Sequence, residues 1–162
     1  IAASMLLVVS CAKKTGFANE ADDNGISSQG LGEVSRFAGQ EAGESYTTKA
    51  PHNQVYLFAF DNSTLATKYM PSVNAQAEYL KSHPGARILL AGHTDERGSR
   101  EYNVALGERR ANTVAQLIRM SGVDRSQIRV VSYGKERPVN YEHDENAHHQ
   151  NRRVELIYEA TR

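Results

Sequence analysis

Residues 92–99 read Gly-His-Thr-Asp-Glu-Arg-Gly-Ser and set a histidine, two acids and an arginine between two glycines, directly after the apolar run Ile88, Leu89, Leu90, Ala91. Polar side chains at the end of a buried strand can transfer protons, ligate a metal, clamp an ion or cap a turn, and their partners decide which. A second unusual residue lies in the segment that follows. Winding residues 99–121 at about 100° per residue places Leu106, Val114, Leu117 and Ile118 on one stripe, with Arg110 in its middle and Asn103 beside it. A buried charge without a partner costs several kcal/mol, so an arginine aimed at the sheet must be matched. Asp95, just past the strand, is the obvious match.

Ligands of open α/β folds settle outside the carboxyl ends of strands. Asp61, Asn62, Ser63 and Thr64 follow the first strand and should open at that same edge, where free main-chain N–H groups can hold a carboxylate. An acid, a deep arginine and an anion-binding turn suit a zwitterion, its ammonium on Asp95 and its carboxylate on the planar fork of Arg110. The same residues also allow a plain Asp95–Arg110 salt bridge that fastens helix to strand in a protein–protein interaction module. From these residues alone the two readings weigh about equally.

Rival chemistries find less support. His93 lies beside Asp95, but there is no G-x-S-x-G nucleophile elbow and no identifiable activated water, so no catalytic residue is assigned and His93 reads as a packing or hydrogen-bonding residue of the loop. Residues 143–149, HDENAHH, lack H-E-x-x-H spacing and a cysteine partner, which leaves a solvated, pH-sensitive patch and no metal site. The glycines of GHTDERG and SYGKERP lack phosphate-loop spacing, and no cofactor is expected.

The elements that must position these residues alternate. QVYLFAF, 54–60, is apolar on both faces, as a central strand would be. DNSTL supplies capping residues ahead of a helix through Met70, Val73, Ala77 and Leu80, stopped by HPG. Then come a strand at 87–92, a long helix at 99–121 closed by Gly122, a strand at 127–133, a short helical turn at 144–150 and a last strand at 153–158. This βαβαβ(α)β order predicts an α/β two-layer sandwich with a mixed four-stranded sheet.

Composition bounds the rest. The 162 residues carry 19 Lys plus Arg against 19 Asp plus Glu, a balance that gives no pull toward nucleic acid. IAASMLLVVSC reads as the tail of a secretory signal, with residues 1–10 its remnant. Val8, Val9, Ser10 and Cys11 resemble a bacterial lipobox, which makes Cys11 the lipidation site. Residues 11–50 hold too little apolar surface to fold alone and read as a lipidated N-terminus and tether, spanning roughly 35 Å as a flexible coil. The folded domain is expected over 51–162.

VYLFAFDNSTL, GHTDERGSREYNVALGERRANTV, VVSYGKERP and NRRVELIY, in that order, resemble the OmpA-like C-terminal domain family, and the lipobox with its tether points to the family's lipoproteins. The resemblance covers residues 54–159. It implies non-covalent binding of peptidoglycan through the meso-diaminopimelate of the stem peptide. It implies that Asp95 takes the ligand's ammonium and Arg110 its carboxylate, that Phe60, Asp61 and Ser63 line the pocket, that Asn103 and Leu106 support it, and that Arg97 guards the rim. Ala91 and His148 depart from the family's usual Glu and Trp. The resemblance further implies an outer-membrane location and partners in the Tol system, chiefly TolB, with TolA as a second.

Overall fold

The computed structural model describes residues 50–162. The signal remnant, Cys11 and the tether through residue 49 lie outside the described residues.

Four strands and three helices follow one another: β1 (Gln54–Leu57), α1 (Met70–Ser82), β2 (Arg87–His93), α2 (Arg100–Met120), β3 (Ile128–Gly134), α3 (Glu145–Asn151) and β4 (Arg153–Ala160). The sheet order is β1-β4-β2-β3. β4 runs antiparallel to both β1 and β2, and β2 pairs in parallel with β3. The two-layer sandwich with a mixed sheet is therefore the observed fold. Because β4 inserts between β1 and β2, those two strands point the same way and their carboxyl ends open on one edge of the sheet.

The long helix begins where the sequence signals it. Ser99 accepts a hydrogen bond from the Tyr102 N–H, which satisfies one of the orphan donors of the first turn. It ends at Gly122, whose φ of 97° suits a residue without a Cβ. One sheet face, with Tyr56, Ile88, Leu90, Val154 and Leu156, packs on Val73, Ala77 and Leu80 of α1 and Ala111, Val114 and Ile118 of α2, all buried. Burying each large aliphatic side chain contributes about 1.5–3 kcal/mol. Gly92 and Gly107 let α2 approach β2 closely: a Cβ built on Gly92 would stand 1.9 Å from the Gly107 carbonyl oxygen.

Two expectations for the first segment are corrected. QVYLFAF is not a central strand; β1 is a four-residue edge strand. Its apolar residues are accounted for differently, since Tyr56 and Phe58 enter the core while Phe60 is exposed. The strand stops because its next carbonyls are claimed by arginine side chains rather than by a neighbouring strand. Arg152 donates through Nε to the Phe58 carbonyl, and Arg110 to those of Ala59 and Asn62. DNSTL does not cap α1 either. It precedes a single 3-10 turn at Thr67–Tyr69, and α1 starts without a side-chain cap, with Pro71 in its first turn.

Candidate functional site

The carboxyl ends of β1 and β2 and the first turns of α2 surround a hollow of about 200 Å³. Phe60, Asp61, Asp95, Arg97, Asn103, Leu106 and Arg110 all line it, together with Thr94, Gly98, Tyr102 and Arg152. Ser63 is not among the lining residues. Neither is Ala91, which sits on the opposite sheet face with His93, in a second hollow of about 520 Å³.

Arg110 is fully buried, as its place on the apolar stripe requires. Its Nε donates to the Asn62 carbonyl at 2.8 Å, Nη1 to that of His93 at 3.0 Å and Nη2 to that of Ala59 at 3.0 Å. A guanidinium has five N–H groups. Three are spent on carbonyls, which leaves one on each terminal nitrogen. Burial, and next the nearby charge of Arg152, pull its pKa down to about 10, so it remains a cation at neutral pH. The carbonyls fix the orientation of the fork without neutralising its charge.

Asp95 is also buried, and its partners are not the one expected. Arg97 Nη2 lies 2.6 Å from Oδ2, Arg152 Nη1 lies 3.3 Å from the same oxygen, and the Arg97 main-chain N–H donates to Oδ1 at 3.1 Å. Burial works to raise the Asp95 pKa, but the Arg97 hydrogen bonds outweigh it and hold the carboxyl below the usual value. The plain Asp95–Arg110 salt bridge is thus not the arrangement found. Each residue is fastened by other groups, and both face the same hollow.

Two further details correct the sequence reading. The Asp61–Thr64 turn was expected to offer N–H groups to an anion, but the Thr64 N–H is spent on the Asn62 side chain and the Asn62 N–H on the Ala59 carbonyl. The Asn62 carbonyl of this turn, like that of Ala59 just before it, accepts from Arg110. Asp61 adopts a positive φ of 49°, a conformation that aspartate tolerates better than most residues, and accepts a hydrogen bond from the Tyr102 hydroxyl. Asn103 holds the 97–99 loop by donating to the carbonyls of Arg97 and Ser99.

Arg152 was missed. Buried one residue before β4, it bonds the Phe58 carbonyl, Asp95 and, at 2.8 Å, Glu145 of α3, and so joins three chain segments beneath the hollow. Its only sequence signal was the doubled arginine of NRR, which a charged strand flank explains equally well. His93 is a packed residue: it is buried, stands 5.4 Å from the Tyr133 ring, and lends its carbonyl to Arg110. The histidine patch meets the site at its rim. His143 and His148 both reach Glu96, and the His143 pKa is raised by its hydrogen bond to that carboxylate.

Residues 57–152 match the OmpA family. A peptidoglycan-associated lipoprotein of Legionella pneumophila is 70% identical over all of this chain and 94% of its own length. The Pseudomonas aeruginosa protein of that name is 40% identical over 96% of this chain and 92% of its own. The crystal structure of the peptidoglycan-associated lipoprotein from Burkholderia pseudomallei superposes with a TM-score of 0.64 at 45% identity, over 65% of this chain and 89% of that one.

Proposed function

The chain belongs to the OmpA family, and from that membership we propose that it binds peptidoglycan non-covalently by taking the zwitterionic end of a stem-peptide diaminopimelate into the hollow between β1, β2 and α2. The ammonium goes to Asp95 and the carboxylate to the two remaining N–H groups of Arg110. Phe60 and Leu106 supply apolar walls for the methylene chain, and Asp61 and Asn103 shape the entrance. The supporting observation is that a carboxylate and a guanidinium, each oriented by other groups, line one cavity. A charged pair built only to hold the fold together would spend its charges on each other.

The rest of the proposal follows from the relatives rather than from the geometry. With Cys11 lipidated in the outer membrane and the domain over 51–162 facing the periplasm, the chain tethers membrane to wall. Repetition of the ligand along the wall makes weak single contacts add up. Membership also supports TolB and TolA as partners, and a binding role in place of an enzymatic one.

Retention on purified, protein-free peptidoglycan tests the reading. Wild type is expected to be retained, while Asp95→Ala and Arg110→Ala, checked for folding by circular dichroism, are expected to stay in solution. Equal retention of folded variants and wild type would overturn it.

A further inference from the structure

Asp95 does not wait empty for a cation. Two arginines already touch it, and they differ in what they can do. Arg152 is buried, with its side chain only 5% exposed, and is pinned to the Phe58 carbonyl and to Glu145, so it cannot leave without dismantling the floor of the hollow. The Arg97 side chain is 39% exposed and reaches over the mouth. Its guanidinium carbon lies 4.3 Å from the centre of the exposed Phe60 ring, and its Nη1 is 3.5 Å from Glu145 Oε2. Glu145 is itself largely exposed and offers a second anion outside the hollow.

We propose that Arg97 is a resident stand-in for the ligand's cation: its guanidinium sits on the seat of Asp95 that, on the reading above, the ammonium takes, and binding exchanges one cation for the other. On release, Arg97 swings toward Glu145 while its main-chain N–H stays on Asp95 Oδ1, so the carboxylate keeps its orientation. No net charge enters the pocket with the exchanged cation. Asp95 is never left buried without a second partner, which would be costly.

An internal competitor acts differently from a ligand contact. It lowers the fraction of molecules that can bind, so it weakens every ligand that uses Asp95 by one common factor and leaves untouched a ligand that uses only Arg110. Arg97 therefore sets the affinity of the site without selecting among its ammonium ligands.

The experiment is titration of the folded protein by NMR with two probes, meso-diaminopimelate and N-acetylglycine, a carboxylate that lacks an ammonium. Replacing Arg97→Gln removes the stand-in. Its Kd for meso-diaminopimelate is expected to fall about fivefold, as loss of one partly exposed ion pair allows, with no such gain for N-acetylglycine. Wild-type binding of meso-diaminopimelate with equal or weaker binding by Arg97→Gln would overturn the stand-in and leave the proposed ligand in place. Absence of binding by both proteins would overturn the proposed ligand and the exchange together.

Discussion

Gly92 of β2 and Gly107 of α2 meet backbone to backbone, so close that a side chain on either would collide: a Cβ on Gly92 would lie 1.9 Å from the Gly107 carbonyl oxygen, and one on Gly107 would lie 2.4 Å from Ser132 Oγ. Arg110 stands one helical turn beyond this contact and reaches the His93 carbonyl one residue beyond Gly92. The depth at which the guanidinium sits is thus set by two residues with no side chains. Replacing Gly92→Ala must push α2 off the sheet, since the obstructing atom belongs to the backbone. Overpacking of this kind costs about 1–3 kcal/mol. A lower urea midpoint is expected, together with weaker titration of meso-diaminopimelate, because the fork is displaced.

Arg110→Lys keeps the charge and loses the geometry. An ammonium has three donors on one point and cannot serve carbonyls on two chain segments while presenting a planar fork. Leaving buried carbonyls unmatched costs about 1–3 kcal/mol, and peptidoglycan retention is expected to drop at least about tenfold, the equivalent of one lost charge-assisted hydrogen bond. Arg109→Lys, on the exposed face of the same helix, serves as the control and is expected to change neither.

Arg152→Gln removes the buried cation that joins Phe58, Asp95 and Glu145. Breaking a buried ion pair from one side costs about 3–5 kcal/mol. The Asp95 carboxyl, now held by Arg97 alone, is expected to titrate at a higher pH than in wild type. Carboxyl NMR reads that change, and chemical denaturation reads the stability.

His93 makes the fold sensitive to acid. Burial first, and then the positive charges of Arg153 and Arg137, lower its pKa to about 3 from an ordinary 6.5. In that interval the unfolded chain binds a proton that the folded one refuses, so the stabilisation is complete above pH 6.5 and is lost as pH falls toward 3. The slope approaches about 1.4 kcal/mol per pH unit. Urea midpoints measured at pH 7.5 and pH 5 are expected to fall accordingly, and His93→Phe is expected to flatten the dependence.

Much of this is legible in the sequence. The position of Arg110 among leucines and valines identified a buried cation, and the alternation of patterns gave the order of elements, because both depend on local periodicity. What could not be read were the partners. Arg110 is held by main-chain carbonyls of Ala59, Asn62 and His93, and carbonyls have no sequence signature. The Asp95–Arg152 contact spans 57 positions, and nothing local distinguishes Arg152 from Arg153 beside it. The edge position of β1 is hidden for a related reason: Tyr56, Phe58 and Phe60 look alike in a window, yet Tyr56 lies within the strand, Phe58 lies just past its end and still in the core, and Phe60 lies exposed at the mouth of the hollow.

The placement of β1 has a mechanical meaning. Its first residues lie toward the N-terminal side and the residues just past its last lead into the hollow, so on the proposed function any tension between a lipid anchor and a bound stem peptide would run along this single strand. β1 is laced to β4 from Gln54 through Leu57, and that load lies along the lacing. The rungs share such a pull and resist together, where a sideways tug would open them one after another like a zip.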